Sequence, residues 1–451
     1  MAKTLQQKLH TAAFSFVYGV TGIITFVFYY HVLPPFRPYP YADDWIYQTP
    51  LQYKSLHQYI TWAFSQHVDH RIPVQLASNF LILRASGFDF RYLVGLNFAL
   101  ACLMTVLLLY IAQRYRGYQM FGDVIIPLTT LSFGAGYTIW GFQFQFLSST
   151  FFLTLFIFCC VLFESSGRQV YLQAAAGSLL LCSLCGMNGL VASSCATVAM
   201  MGWLLLCRVS KVPVRQTRAI YLLLALNLVV DIALWASWKP SEVANVGHFN
   251  VYNFGRFIYC ILPSCFVLYS FTDIWWKSDL VLLLLLGAVV IFCLSLRRWR
   301  LSEFSCFLGI VCSIAVLASV AVGRSKLHEV WDPALGMHYG YLSILIPLLS
   351  WVIISSKLPT EWTVILSLVL IITFGKAFQV NAKWRFEQII SSAPHQREVV
   401  NALESGQDPR VLSDKYALDF TFGTQDSLKR DVAQGINAFR QSGARLYGGH
   451  H

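Results

Sequence analysis

The chain has 451 residues, of which 56% are hydrophobic and only 12% are charged, and its mean hydropathy is +0.56. Soluble globular chains carry about 25% charged residues, so this composition excludes a water-soluble enzyme, a disordered chain and a nucleic-acid-binding domain. Apolar runs of about 20 residues, each long enough for one membrane crossing, make up about half of the chain. The sequence therefore predicts an all-α fold, a polytopic bundle of transmembrane helices in a lipid bilayer.

The first apolar run covers residues 11–32 and follows Lys3 and Lys8. No small-residue cleavage site follows it, so we predict an uncleaved span with a cytoplasmic N-terminus. Ten further spans are predicted near residues 91–112, 122–140, 143–163, 170–187, 190–207, 219–237, 279–296, 304–323, 339–356 and 361–378. Basic residues then fall in alternate loops, and the positive-inside rule explains most of the net charge of +11 as topology.

The apolar stretch 254–276 is broken by Pro263 and is predicted to be a re-entrant or interfacial pair of short helices. If this stretch crossed the membrane fully, the chain would have twelve spans. The basic cluster at 297–300 would then lie outside, against the positive-inside rule. We therefore prefer eleven spans.

Eleven spans divide the chain into two parts. Residues 1–379 form a transmembrane catalytic module with a long outer loop at 33–90, and residues 380–451 form a small extracytoplasmic helical tail. The twelve cysteines all lie in apolar runs, and we interpret them as small hydrophobic residues rather than disulfides or metal ligands.

The first outer loop opens with a proline-rich lead, after which Asp43, Asp44 and Trp45 follow in succession. Adjacent carboxylates repel each other, which raises the pKa of one or attracts a divalent cation such as Mg²⁺ or Mn²⁺. One carboxylate is suited to act as a general base while the other orients a metal or a substrate hydroxyl. Trp45 suits the membrane interface or a wall on which a sugar stacks. The alternative is a solvated loop with one interfacial aromatic residue.

Further along the same loop, residues 51–65 predict an amphipathic helix that lies on the membrane. It ends at His67, Asp69, His70 and Arg71, which suit a divalent cation or an anionic headgroup, because arginine and protonated histidine both bind phosphate. The same cluster is equally typical of a solvated helix end.

The second outer loop, residues 324–338, adds Arg324, Lys326 and His338. A carboxylate pair thus shares one side of the membrane with a set of basic side chains. Transfer of a group from a lipid phosphate requires this combination, since a base must activate the incoming hydroxyl and cations must stabilise the departing phosphate.

The order of these segments resembles the GT-C superfamily of polytopic glycosyltransferases. Within it, the likeness is to a bacterial group of membrane proteins that share a DDW segment after the first span and an H-x-x-H-R segment in the same loop. The resemblance covers most of residues 10–380. The segments that carry it are Asp43-Asp44-Trp45, His67-x-x-His70-Arg71, Trp140-Gly141-Phe142-Gln143-Phe144-Gln145-Phe146, Asn188-Gly189-Leu190 and Gly323-Arg324.

The resemblance implies catalysis on the extracytoplasmic side of a bacterial inner membrane. The donor would be a polyprenyl-phosphate sugar and the acceptor a glycan, glycolipid or protein, with inversion at the sugar. Asp44 would be the base and Asp43 its partner, while His67, His70 and Arg71 would bind the donor phosphate or shape the acceptor pocket. Arg324 would face the lipid phosphate. At the position where relatives commonly have an Arg-Tyr pair, this chain has His338 and Tyr339. A titratable histidine thus replaces the permanently charged arginine that would bind phosphate there.

Two intramembrane polar residues have open interpretations. Gln143 lies at the outer end of a span, where its amide would bind a sugar hydroxyl or another helix. Asp231 lies inside a predicted span, which favours the rival hypothesis of a transporter or flippase for a lipid-linked or anionic substrate. That hypothesis also calls for paired broken helices in two halves of the chain, and the sequence shows only one broken segment.

Overall fold

The computed structural model describes residues 2–68, 70–209, 218–239, 248–266, 274–295, 300–325 and 339–444. The fold is nearly all helical, as predicted. Its helices are α1 (Ala2–Val27), α2 (Leu56–Ala63), α3 (Pro73–Ala85), α4 (Arg91–Arg116), α5 (Ile125–Thr130), α6 (Phe144–Ser166), α7 (Gln169–Ser183), α8 (Met187–Val209), α9 (Arg218–Ala236), α10 (Val251–Ile261), α11 (Ile274–Ser295), α12 (Leu301–Arg324), α13 (Leu345–Ser355), α14 (Thr360–Glu404), α15 (Pro409–Lys415), α16 (Ala417–Phe420) and α17 (Asp426–Gln441). Among the described residues, one antiparallel ribbon pairs β1 (Gln66–His67) with β2 (His70–Arg71).

Eight helices in the described residues are long and apolar enough to cross a membrane: α1, α4, α6, α8, α9, α11, α12 and α14. Their number makes the chain a multi-pass membrane protein, as the composition predicts. Gly117 and Gly167, which have φ values of 87° and 67°, end α4 and α6, because glycine adopts this left-handed conformation without a steric penalty. The end of the bundle that carries residues 33–90 is called the loop side below.

The predicted span at 122–140 is not one continuous helix. A continuous helical stretch covers only Phe121–Thr130, and turns with two short 3-10 helices, Gly136–Thr138 and Gly141–Gln143, follow as far as residue 143. The segment nevertheless runs antiparallel to α4 along its whole length. Three contacts in order mark its path: Asp123 with Arg116, Thr130 with Thr105, and Trp140 with Asn97.

Side chains of α14 support the irregular half of this segment. The Asn381 amide donates to Ser132 Oγ at 2.6 Å, and the Arg385 guanidinium donates to the carbonyl of Thr138 at 2.6 Å. A Cβ atom on Gly134 would approach the Asn381 side chain to 2.6 Å, so only glycine allows this close packing. Irregular backbone at membrane depth requires such internal partners, since lipid offers no hydrogen bonds.

The predicted interruption at Pro263 is confirmed, because α10 ends at Ile261 and a single 3-10 turn follows. Near the start of this segment, Asn253 donates to the carbonyl of Ser325, the residue that follows α12. Near its end, a Cβ on Gly340 would approach the carbonyl of Ser264 to 2.6 Å. Both ends of the segment thus lie near the chain that leaves α12 and the chain that enters α13.

The long outer loop and the C-terminal tail pack together as one unit. Helix α14 continues without a break through the predicted boundary at 379/380, and α15 to α17 then fold back onto the loop. The two parts share a hydrophobic core, to which the loop contributes Tyr39, Trp45, Tyr47, Trp62, Ile72 and Leu76 and the tail contributes Val399, Leu403, Leu412, Phe420, Ile436 and Phe439. We call this unit the loop–tail domain.

Trp45 joins the two halves of the loop–tail domain. Its indole is 7% exposed, donates to the carbonyl of Phe420 at 2.9 Å, and packs against the ring of Phe439. A Cβ on Gly435 would approach the indole to 2.3 Å. Trp45 therefore lies beneath α17 in this structure, and its contacts are those of a core residue.

Candidate functional site

The carboxylate pair lies at the start of a 3-10 helix, Ala42–Gln52, in the loop–tail domain. Ala42, the first residue of this helix, immediately precedes the carboxylate pair and has φ at 52°. This left-handed conformation is unfavourable for an alanine. Surrounding packing must hold this conformation in place, and such backbone strain is often found at functional sites. Asp43 and Asp44 point into different environments as a result.

Asp44 is buried, with 3% of its surface exposed. Its Oδ2 accepts from the backbone N–H of Tyr41 at 3.3 Å, and the indole of Trp140 also donates a hydrogen bond to the carboxyl. Burial raises the pKa of Asp44 to about 8, although the Tyr41 N–H and the positive charge of Arg37 favour the ionised form. A buried carboxyl with a pKa above neutrality is typical of a catalytic acid or base.

Asp43 is the accessible member of the pair, with 39% of its side chain exposed. Its Oδ1 lies 3.7 Å from Nε2 of His67, and the imidazole also packs against the ring of Phe142. The ribbon β1–β2 pairs His67 with His70 across a turn in which Val68 has φ at 52°. Asp69, which follows Val68 in the sequence, lies outside the described residues.

Aromatic side chains surround the carboxylates. Trp140 stacks on Phe142 at 5.6 Å and donates from its indole to the carbonyl of Tyr41 at 3.2 Å. Phe422 of the tail meets both Tyr41 and Trp140 edge-on, at 5.2 and 5.3 Å. The guanidinium of Arg37 lies 4.1 Å from the centre of the Tyr41 ring. A sugar ring has an apolar face, which an aromatic ring can cover while the sugar hydroxyls keep their hydrogen bonds. Aromatic rings beside a carboxyl therefore suit a sugar.

Arg71 lines a small, mostly apolar cavity of about 20 Å³, where α7, α8 and α9 meet the loop. Its terminal nitrogens donate to the carbonyls of Phe64 and Ser237 at 2.7 and 3.0 Å. Its Nε is buried without a hydrogen-bond partner among the described residues. The other lining side chains include Leu190, Leu234 and Trp238.

The N-terminus of α8 borders the same cavity. Gly186, with φ at 95°, turns the chain from α7 into α8, and Gly186 and Met187 both line the cavity. Asn188 follows with 3% exposure, and its Nδ2 has no hydrogen-bond partner among the described residues. A helix N-terminus beside a guanidinium suits an anion, because the backbone N–H groups and the helix dipole both favour negative charge.

Other predicted site residues lie elsewhere. Arg324 donates from Nε and from a terminal nitrogen to the hydroxyl of Tyr339, at 3.0 and 2.7 Å, at the end of α12. His338 lies outside the described residues. Gln143 is 3% exposed at the start of α6. The predicted residues thus form two groups, with Asp43, Asp44, His67 and His70 in one and Arg324 with Tyr339 in the other.

Asp231 belongs to a buried polar network that joins α7, α8 and α9. Ser183 donates to one of its carboxylate oxygens at 2.6 Å and Ser194 to the other at 3.1 Å. Asn227, one turn before Asp231, donates to Ser193 at 3.0 Å. Hydroxyl and amide partners of this kind hold helices together in a membrane.

The prediction of a divalent cation at the carboxylate pair has few ligands to support it. Asp43 faces His67, whereas the carboxyl of Asp44 is buried against the N–H of Tyr41. In the part of the chain that the structure describes, no three His, Cys, Asp or Glu side chains are grouped to hold a metal ion. The metal stays a prediction, and no step proposed below depends on it.

Several residues of the site have no local signal in the sequence. Phe422 reaches Tyr41 from the far end of the chain, and the cavity below Arg71 depends on how three helices pack. Arg37 acts electrostatically on Asp44, and only its place seven residues before Asp44 points to it. Comparisons of the chain with protein-family models, with curated proteins and with solved structures gave no match.

Proposed function

We propose that this protein is a GT-C-like membrane glycosyltransferase. It would move a sugar from a polyprenyl-phosphate donor to a hydroxyl of an acceptor glycan, glycolipid or protein on the outer face of a bacterial inner membrane. The observation that carries this proposal is the buried carboxyl of Asp44, with its raised pKa, in the same loop as Arg71. A base and a cation in one loop suit a lipid phosphate substrate.

The proposed topology has eleven crossings and a segment, α10 with its 3-10 turn, that returns to the loop side. Eight crossings are the long apolar helices, and the other three are α7, the half-helical segment at 121–140 and the helix at Tyr339–Ser355. This count supports the positive-inside arrangement, with the loop–tail domain outside and the N-terminus in the cytoplasm.

In the proposed reaction, the acceptor hydroxyl attacks the anomeric carbon of the donor sugar. Its proton passes to the carboxylate of Asp44, and the bond from that carbon to the phosphate oxygen breaks. The electron pair leaves with the polyprenyl phosphate. One displacement of this kind inverts the anomeric centre. Because the pKa of Asp44 is about 8, the ionised form is a stronger base than an ordinary aspartate.

Arg71 is the proposed ligand of the donor phosphate. Its buried Nε supplies a donor, and the N-terminus of α8, which borders the same small cavity, adds positive potential. His67, held near Asp43, would orient the acceptor hydroxyl. Arg324, whose guanidinium donates to the hydroxyl of Tyr339, is the second candidate ligand of the phosphate.

Transfer by Asp44→Asn in nanodiscs, with a mixture of polyprenyl-phosphate sugars and envelope acceptors, tests the base. Asparagine keeps the shape of the side chain and cannot take a proton at this position, so we expect transfer to fall at least 100-fold. The matched control is Asp414→Asn, an exposed carboxylate of the tail with 68% of its side chain accessible. Transfer by Asp44→Asn at the rate of this control would refute the assignment of the base.

Binding of polyprenyl phosphate, measured by native mass spectrometry, tests the phosphate ligand separately from the reaction. We expect Arg71→Gln to weaken binding at least tenfold, because a charged hydrogen bond to phosphate is lost. Arg84→Gln, an exposed arginine of α3 in the same loop, is the matched control. If Arg324→Gln weakens binding and Arg71→Gln does not, the phosphate lies at the end of α12 instead.

The transporter hypothesis makes a different prediction. It requires Asp231 to couple a substrate or ion to movement across the membrane, whereas the observed contacts of Asp231 are to hydroxyl groups within the helix bundle. Flux of a lipid-linked or anionic substrate through proteoliposomes, lost in Asp231→Asn while sugar transfer is absent in the wild type, would favour the transporter.

A further inference from the structure

A second polar cavity, of about 180 Å³, lies within the loop–tail domain. Its walls come from four separate parts of the chain: the proline-rich lead at 35–39, Ile139 of the irregular segment, one face of α14 from Arg385 to Gln396, and Asp419 of α16. This volume is below the range of about 300–1,000 Å³ that is typical of sites for drug-sized ligands. The cavity therefore suits a small ligand, such as a single sugar with a charged substituent.

The charged groups of this cavity favour an anion. Arg37 lines it and forms no ion pair with a carboxylate among the described residues, because its contacts are the carbonyl of Asp419 and the ring of Tyr41. Arg385, 2% exposed, also lines it and donates to the neutral oxygens of Gln388 and Thr138. The side chain of Asp419 is engaged by His395, whose Nε2 lies 3.0 Å from its carboxylate.

The remaining walls suit the rest of a sugar. The amides of Gln388 and Gln396 and the hydroxyl of Ser392 offer donors and acceptors for sugar hydroxyls. The rings of Phe36 and Tyr39 offer an apolar surface. A free inorganic anion would use only the arginines, whereas a charged sugar would use both kinds of wall.

The cavity is also connected to the candidate base. Arg37 acts electrostatically on Asp44 and lies over the ring of Tyr41, whose backbone N–H donates to the Asp44 carboxyl. Tyr41 therefore contacts both Arg37 and the Asp44 carboxyl, so a ligand at Arg37 would bind close to the proposed reaction centre.

We propose that this cavity binds an anionic saccharide, a sugar that carries a phosphate or a carboxylate. Its role as the acceptor rests on the glycosyltransferase function proposed above, but its binding does not. The acceptor hydroxyl would then be held near Asp44 by the charge of its own sugar at Arg37 and Arg385.

Isothermal titration of the full-length protein in detergent tests this proposal with four probes: glucose 6-phosphate, glucuronate, glucose and inorganic phosphate. We expect one of the two anionic sugars to bind at least tenfold more tightly than glucose and than inorganic phosphate. The tighter of the two identifies the charged group. If glucose or inorganic phosphate binds as tightly as the tighter of the two anionic sugars, the proposal is overturned.

Two variants locate the binding. Arg37→Gln removes a cation, and Gln388→Glu places a carboxylate beside Arg385 without removing a fold contact, so each is expected to weaken anionic sugar binding at least tenfold. Arg397→Gln is the matched control, because this arginine lies on the same helix, is exposed and does not line the cavity. Unchanged binding in both cavity variants overturns the assignment.

The same titration on Asp44→Asn separates this proposal from the one on which the acceptor role rests. Binding is expected to persist in that variant. If binding persists but no sugar transfer is found in any preparation, the saccharide site stands and the transferase fails. If transfer is found and no anionic sugar binds, the transferase stands and the saccharide site fails.

Discussion

Replacement of Asp44 by asparagine is expected to stabilise the protein at neutral and alkaline pH. In the folded chain burial raises the pKa of Asp44 to about 8, against an ordinary value of 3.8. Between these two values the folded chain keeps a proton that the unfolded chain has lost, so the free energy of unfolding falls as pH rises. Each pH unit above the unfolded value of 3.8 lowers the free energy of unfolding by about 1.4 kcal/mol, so that about 4 kcal/mol is lost at pH 7. Asparagine carries no ionisable proton and avoids this loss.

The assay compares thermal unfolding of the wild type and Asp44→Asn in the same detergent from pH 4 to pH 9. Other titrating groups are common to both proteins and cancel in the difference between their Tm values. We expect this difference to be near zero at pH 4, to grow in favour of the variant as pH rises, and to level off above about pH 8. A change of a few kcal/mol corresponds to several degrees in Tm.

Two results would refute this reasoning. A difference in Tm that stays constant from pH 4 to pH 9 means that Asp44 ionises in the folded chain as it does in the unfolded chain. A difference that turns in favour of the wild type at high pH means that the ionised carboxylate is stabilised by its surroundings, and that burial is not the dominant influence.

Two further changes probe the fold that supports the site. Arg116→Gln should lower Tm sharply, since it leaves the fully buried carboxylate of Asp123 without its 2.5 Å ion pair. Breaking a buried pair costs about 3–5 kcal/mol. A Tm within a degree of the wild type would contradict this expectation. Gly435→Ala should loosen the tail, because its Cβ would meet the indole of Trp45 at 2.3 Å. The measurement is tryptic cleavage of the tail, which should be faster in Gly435→Ala than in Gly375→Ala, where a Cβ has open space. Equal cleavage rates in the two variants would count against the clash.

The membrane-embedded elements were largely predictable from the sequence, because hydropathy acts locally. The run at 143–163 became α6, and the interruption at Pro263 ended α10, since proline cannot continue a helix. The run at 122–140 was predicted as one helix and is helical only in its first half. Hydropathy shows that a segment is buried, but it does not show whether Asn381 and Arg385 are present to bond an irregular backbone.

The sequence by itself also determined which residues had the chemistry for a site, since Asp43, Asp44, His67, His70 and Arg71 stand out in a chain with few charges. It did not determine their environment. Trp45, adjacent to Asp44, lies in the core of the loop–tail domain, and the ring of Phe422 reaches Tyr41 across more than 380 residues of chain. Burial, and with it the raised pKa of Asp44, is a property of everything that packs around a group. Only the tertiary structure decided which of two adjacent carboxyls is buried and which faces His67.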